Sequence, residues 1–416
     1  MPIMAPTSPT AARSAVSPVA PAALIRELIA AELPDLVAIR HDLHRHPEIG
    51  FQERYTSEVV QRELARAGVT FAPGLAGGTG VLAHLRGASD RTIGLRADMD
   101  ALPIEEETGV PYASTKPGMM HACGHDGHTT MLIGTARVLA KLAGQQTLPN
   151  PVSFVFQPAE EGWGGGRRMV EDGCLNGSRI GTPITTMYGL HGWPMMPLGI
   201  VGTKPGPLLA AADNFTITIR GRGGHAAMPH LNRDPIVTGA AIVQALQSIV
   251  SRTVDPLDSA VISVTMFHGG TATNVIPEEV TLGGTVRTLR KPTQMLVRGR
   301  MMELVEHVAR AHGCEGALDY RDGYPVTRND EHAADTFDRV ARATLGGDRV
   351  VRVAEPVMGA EDFSYYCEQV PSCFFFLGLQ APGQPPMAPL HHPKFNFNDD
   401  AMATGIELFV RLALEG

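Results

Sequence analysis

Strand-like and helix-like segments alternate along most of this 416-residue chain, and one block in the middle breaks that rhythm. Thr92–Asp98 (TIGLRAD), Val152–Gln157 (VSFVFQ) and Thr185–His191 (TTMYGLH) read as strands, and Thr129–Leu142 as an apolar helix. Ile25–Leu43 carries helical spacing, which Pro34 is expected to break into two helices. Such alternation predicts an α/β layer on a largely parallel sheet, with ligands gathering at the carboxyl ends of its strands. In the middle block, Asn214–Arg220 (NFTITIR) alternates with period two. Asp234 and Pro235 then supply an N-cap and a first-turn proline, and Ile236, Ala240, Val243, Leu246 and Val250 form the apolar stripe of a helix. Strands at Ser259–Phe267 and Val280–Leu289 follow, then a helix with Val297, Met301, Leu304 and Val308 on one face, then a strand at Ala317–Tyr320. This is the β-α-β-β-α-β order of a ferredoxin-like unit. A helix at Glu331–Leu345, a strand at Cys373–Leu379 and a helix at Asp400–Leu414 resume the α/β alternation. The expected organisation is an α/β domain over 23–211 and 323–416, interrupted by a smaller inserted domain over 212–322.

Composition narrows the partners. The net charge is −8 with no long basic run, which argues against nucleic acid or an anionic membrane. No stretch approaches 18 uninterrupted apolar residues, so no membrane-spanning helix is expected. Five cysteines are too few and too scattered for a disulfide scaffold. Residues 1–22 hold prolines at 2, 6, 9, 18 and 21, which interrupt any secretory apolar core. They are expected to form a disordered tail on a cytoplasmic protein.

The chemistry concentrates where the predicted strands end. Asp98 and Asp100 close the first strand, Glu160 and Glu161 follow the second, and His191 closes the third. His121-Ala-Cys123-Gly-His125-Asp126-Gly-His128 opens the apolar helix, and His391-His392 lies near the C-terminus. Thiolate, imidazole and carboxylate are the donors that hold borderline transition metals, here zinc, manganese, cobalt or nickel. Cys123 and His125 flank a single residue, so only a turn or a strand lets both face one site. Of two adjacent carboxylates at a strand end, one can bind metal while the other serves as general base. Asp98 and Asp100 either orient ligand histidines or are plain turn acids. Cys174, Cys314, Cys367 and Cys373 read as core packing, as do Met195, Met196, Met301 and Met302, and Arg167-Arg168 as a helix face. In the inserted block, Gly221-Arg-Gly-Gly-His225 and Gly269-Gly270-Thr-Ala-Thr-Asn274 are glycine-rich turns ending in a polar side chain, and Arg287 lies on the strand that follows.

These clusters resemble a known family. IRHDLHRHPEIGFQE (39–53), RADMDALP (96–103), MHACGHDGHTTML (120–132), FQPAEEG (156–162), YGLHGWP (188–194), GRGGHAAMPH (221–230), GGTATNVIPEEV (269–280), GTVRT (284–288), MGAEDFSYY (358–366) and LHHPKFNFND (390–399) fall in one order across the chain. Together they resemble the di-metal aminoacylase and carboxypeptidase family of metallopeptidases. The likeness is specifically to its amidohydrolase branch, which includes hippurate hydrolases, N-acyl-amino-acid amidohydrolases and indole-acetyl-amino-acid hydrolases. The resemblance implies a di-metal exopeptidase-like α/β catalytic domain carrying a ferredoxin-like lid that makes a homodimer. It implies two divalent metal ions, bridged by Cys123 and completed by His125, Glu161, His191 and His391. Glu160 would be the general base. His225 would reach a neighbouring subunit's site to stabilise the oxyanion, and Asn274 and Arg287 would hold the substrate's carbonyl or carboxylate.

The expected activity is metal-dependent hydrolysis of N-acyl-L-amino acids to a carboxylic acid and a free amino acid. A dipeptidase or aminopeptidase, or an N-acetyl-diaminopimelate deacetylase, is the alternative within the same architecture. A dipeptidase would need an acid to receive a free ammonium group. A non-catalytic binder would have lost the base or several ligands, and here all are present.

Overall fold

The computed structural model describes residues 20–416. In chain order the first elements are α1 (Ala22–Arg45), α2 (Arg54–Arg66), β1 (Thr70–Leu75), β2 (Gly80–Leu85), β3 (Thr92–Asp98) and α3 (His125–Ala143). Then come β4 (Val152–Gln157), α4 (Gly165–Glu171), β5 (Ile184–Pro197), β6 (Val201–Thr203) and β7 (Gly206–Leu209). The middle holds β8 (Ala211–Arg220), β9 (Gly224–His225), α5 (Pro235–Arg252), β10 (Ala260–Gly269), β11 (Val275–Ile276), β12 (Glu279–Thr288), α6 (Lys291–Ala311) and β13 (Glu315–Tyr324). The chain closes with β14 (Thr327–Asn329), α7 (Glu331–Leu345), β15 (Val350–Arg352), α8 (Ser364–Cys367), β16 (Ser372–Gln380) and α9 (Met402–Glu415).

Two sheets organise these elements. The larger has eight strands in the order β1-β2-β4-β3-β5-β16-β6-β15. Its centre, β4-β3-β5-β16, is parallel, and β1, β2 and β6 join antiparallel to their inner neighbours. The sheet is thus mixed, with parallel pairing kept where both faces are covered. β3 and β4 are buried along their whole length. On one face α1, α3, α7 and α9 pack together over Leu95, Phe154, Leu190 and Phe375. The other face carries a separate apolar cluster of Leu82, Val155, Met187, Phe363, Phe374 and Phe376. The second sheet is antiparallel in the order β10-β12-β8-β13, with α5 and α6 against it over a core of its own, including Ile217, Leu246, Leu282, Val297 and Met301. That strand order is the ferredoxin-like one, so the α/β class with an inserted α+β unit holds.

Several local expectations need correction. Pro34 does not divide α1, which runs unbroken from Ala22 to Arg45. The proline lies on the exposed face, where water can satisfy the carbonyl that loses its partner, while Ile29, Leu36 and Leu43 stay anchored in the core. The α5 stripe is rotated: Thr238, Gly239, Ile242, Leu246 and Ile249 are buried, whereas Ile236 is exposed and Ala240 faces solvent. This helix is apolar on more than one side, so periodicity alone could not choose its inner face. Asp234 does cap it, accepting from the N–H groups of Ile236 and Val237. Met301 is core, but Met195 and Met302 are exposed. Of the expected tail 1–22, residues 1–19 lie outside the described residues. Ala20 is buried in the core and Ala22 already opens α1.

Candidate metal centre and active-site cavity

The parallel order of β3, β4 and β5 brings three polar clusters to one end of the sheet. Asp98 ends β3, Glu160 and Glu161 follow β4, and His191 lies within β5. The segment before α3 adds Cys123 and His125. Between them Gly124 takes the left-handed conformation, φ 85°, which a side chain would resist. That single residue turns the chain so that the cysteine and the first residue of α3 face the same space.

Two triads share Cys123. The donor atoms of Cys123, His125 and His191 lie within 4.8 Å of one another, and so do those of Cys123, Glu161 and His391. The Cys123 sulfur is 3.3 Å from His191 Nε2. His191 donates from Nδ1 to the Gly192 carbonyl at 2.8 Å, which leaves Nε2 as a bare lone pair. His391 Nε2 stands 3.2 Å from Glu161 Oε1. His125 Nε2 is buried without a hydrogen-bond partner, and buried Glu161 Oε1 has no partner beyond that His391 contact. Buried orphans of this kind ask for a ligand, and sulfur, imidazole and carboxylate donors together suit a pair of divalent transition metals. His391 holds φ 63°, and its N–H is tied to the Ala122 carbonyl at 2.8 Å, so the C-terminal loop is strained into place beside Cys123.

In the neighbouring triad of Asp98, His125 and His128, the His128 ring is already engaged. His128 donates from Nδ1 to Asp98 at 2.7 Å and accepts the Gly192 N–H on Nε2 at 2.8 Å, so neither nitrogen is free. Asp98 also contacts His125, Nε2 to Oδ2 at 3.7 Å, and Asp100 meets His125 Nδ1 at 3.2 Å while accepting the Glu161 N–H at 2.9 Å. Asp98 and Asp100 therefore touch His125 and the Glu161 backbone from behind the cluster. Beneath it, fully buried Arg96 reaches Asp98 at 2.7 Å, Asp362 at 2.8 Å, Glu361 at 2.9 Å and the Gln157 side chain at 2.8 Å.

Electrostatics agree with a site built for cations. Burial alone would lower His125, but Asp98, then Asp100 and Glu161, outweigh it and lift the group to about 10. Burial, reinforced by Glu361, Glu161, Asp362 and Asp100, holds Glu160 well above the ordinary carboxylate range. Burial and the carboxylates of Glu161, Glu160 and Asp98 do the same to the Cys123 thiol. Burial and His128 push His191 well below the usual imidazole value, keeping it a neutral donor. Excess acid in a dry site favours added positive charge.

A cavity of about 500 Å³ opens over the cluster. Cys123, Glu160, Glu161, His191 and His391 line it from the larger sheet, and Asn214 and half-buried Arg287 close it from the smaller one. Trp193, Leu209 and Leu390 give it an apolar wall. His225 and Asn274 are not among its lining residues. Both are exposed on the β9–β11 ladder, where His225 pairs with Val275 and the Ala226 N–H bonds to the Asn274 carbonyl at 3.0 Å. Arg287 sits near one end of β12 and Glu279 at the other, next to that ladder. Eight strand residues span roughly 26 Å, so the ladder is far from the cavity of its own chain.

Residues given no role from sequence also shape the site. Arg96, Gln157 and Asp362 form its floor, Glu361 and Tyr324 line the cavity, and the Tyr324 hydroxyl reaches the Glu160 carbonyl. The acid pair in MGAEDF was the available signal for two of them. Arg96 and Asp362 are 266 residues apart, and only the fold joins them.

Comparison with known proteins places the chain. A model of peptidase family M20/M25/M40 matches residues 94–415. An IAA-amino acid hydrolase of Arabidopsis thaliana is 38% identical over 382 residues, covering 91% of this chain and 84% of that one. Hippurate hydrolase of Campylobacter jejuni is 38% identical over 381 residues, covering 91% and 95%. A crystal structure from Bacillus subtilis, described as a dinuclear metal binding peptidase, superposes with a TM-score of 0.79 at 35% identity, over 92% of this chain and 98% of the other. With most of its length matched in this way, the chain belongs to peptidase family M20/M25/M40.

Proposed function

We propose that this protein is a metal-dependent amidohydrolase that cleaves N-acyl-L-amino acids to a carboxylic acid and a free amino acid. The observation that carries the reading is Cys123, shared between two donor triads at the floor of a cavity that also holds Glu160 and Arg287. His125 and His191 would hold one divalent ion with Cys123, and Glu161 and His391 the other. Zinc, manganese, cobalt and nickel all suit these donors. Such ions polarise a carbonyl and make water acidic near neutral pH. The Glu160 carboxylate takes a proton from the attacking water and delivers it to the leaving nitrogen. Arg287 receives the free carboxylate of the amino acid, and the wall of Trp193, Leu209 and Leu390 accepts an apolar acyl group. The names of the hippurate and IAA-amino acid hydrolases describe amides of this kind. A dipeptidase would need a free carboxylate for an ammonium group, and the further acid of the cavity, Glu361, is committed to Arg96.

The distance from the β9–β11 ladder to the cavity supports a homodimer in which His225 and Asn274 serve the partner's site, where His225 would steady the oxyanion. The segment 212–322 would then act as the lid and dimerisation domain. β10, an edge strand of the smaller sheet, exposes Val261, Met266 and Phe267, as an edge awaiting a second copy would. All five cysteines are free, which fits a reducing compartment such as the cytoplasm. No helix among the described residues is long and apolar enough to cross a membrane.

The test is hydrolysis of a panel of N-acyl amino acids and dipeptides, with metal removed and then restored. Release of free amino acid that returns with metal is expected. Silence across the panel with two ions demonstrably bound would contradict the reading.

A further inference from the structure

Glu53 precedes α2, far from the metal cluster in sequence, and the proposed chemistry gives it no part. We propose that Glu53 is a positioning residue: its carboxylate holds the peptide N–H of Ala159 and so fixes the direction in which Glu160 faces the cavity. Glu53 is fully buried. Its Oε1 accepts the Ala159 N–H at 2.8 Å, and its Oε2 accepts the Thr79 hydroxyl at 3.0 Å. Ala159 holds φ 59°, a left-handed conformation that an L-residue other than glycine resists. It is also fully buried, so its N–H has no recourse to water.

The rest of the turn has other anchors. The Ala159 carbonyl takes the Gly165 N–H at 2.9 Å, the Glu160 carbonyl takes the Gly162 N–H at 2.7 Å, and the Glu161 N–H goes to Asp100 at 2.9 Å. These contacts fix the chain beyond the strained residue. Glu53 is the partner of the strained residue's own N–H. Without it, Ala159 is free to relax toward negative φ, and the change in backbone direction falls first on Glu160, the next residue. Of the residues named for the metals, Cys123, His125, His191 and His391 come from other segments, and Glu161, in the same turn, keeps its own anchor on Asp100.

The inference rests on Glu160 being the general base, and its test separates the two ideas. In metal-replete enzyme, Glu53→Ala should lower kcat roughly a hundredfold, the loss expected when a reacting group is displaced by about an ångström, with KM and bound metal unchanged. Glu53→Gln should stay within about threefold of wild type, because its amide oxygen still accepts the Ala159 N–H while its NH2 donates to Thr79. Adding Ala159→Gly to Glu53→Ala should restore about tenfold in kcat, since glycine adopts positive φ unaided. Should Glu53→Ala fail to fold, Glu53→Asp, one methylene short of Ala159, carries the same expectation for kcat. An active Glu53→Ala overturns the inference, and so does a kcat loss shared equally by Glu53→Gln and unmoved by Ala159→Gly. Turnover by Glu160→Gln would instead sink the base assignment.

Discussion

Replacing Arg96 with Met removes the guanidinium that three buried acids share. Arg96 and Asp98 are fully buried, as is Asp362, and Glu361 nearly so. The guanidinium meets all three carboxylates at 2.7–2.9 Å and Gln157 besides. Breaking one buried ion pair by deleting a partner costs about 3–5 kcal/mol, because the remaining charge is left without compensation. Three acids share this arginine, so the upper part of that range applies, against a total stability of about 5–15 kcal/mol. The sign of the pH dependence follows from the acids. Burial already raises Asp362 well above, and Glu361 above, their ordinary values, with Arg96 opposing. Without Arg96 both rise further. An acid whose folded pKa exceeds its unfolded one weakens the fold at high pH and recovers as pH falls. Urea unfolding of metal-saturated wild type and Arg96→Met should therefore show a deficit of about 4 kcal/mol at pH 7, narrowing at pH 5.5. A deficit under about 1 kcal/mol at pH 7, or one indifferent to pH, would refute the reasoning.

Three further outcomes are expected. Burial opposes a charged His44, but its bonds to Asp126 and Glu106 prevail and raise it to about 9 from an ordinary 6.5. The stabilisation it gives is complete below pH 6.5 and lost as pH climbs to 9, roughly 3 kcal/mol in all, so melting should fall more steeply over that window in wild type than in His44→Gln; equal slopes would count against it. Arg287→Met should raise KM for N-acyl amino acids by roughly 10–100-fold and leave the corresponding neutral amides unaffected, and a uniform loss across both would mean another role. Inactive Glu160→Ala and inactive His225→Ala subunits, once exchanged at equal amounts, should recover about a quarter of wild-type activity across the whole population, since about half of the dimers are mixed and each of those has one intact site; no recovery despite proven exchange would place His225 outside the partner's site.

Much of this arrangement was legible in the chain because local chemistry announces it. Cys123, His125 and Glu161 sit in short motifs whose donor types speak for themselves, and the strands β3 and β4 nearby are buried, largely apolar runs. Asp234 and Pro235 mark the start of α5 as their cap and ring geometry requires. What stayed hidden depends on tertiary context. The inner face of α5 could not be chosen where two sides are apolar, and Pro34 is tolerated because its helix turns that side to water. The Arg96–Asp362 pair and the hold of Glu53 on Ala159 join residues brought together by the sheet alone. Asn274 and Arg287 were grouped by chemistry, yet Asn274 lies beside the β9–β11 ladder and Arg287 near the far end of β12.

The central claim is that Glu160 moves the proton at a site whose metals are held by other residues. Metal content and turnover of Glu160→Gln, measured on the same preparation with an N-acyl amino acid that wild type hydrolyses, test it most directly. Two divalent ions per chain with kcat reduced by about 10²–10⁴ is the predicted result. Activity within about tenfold of wild type at full metal occupancy would contradict it.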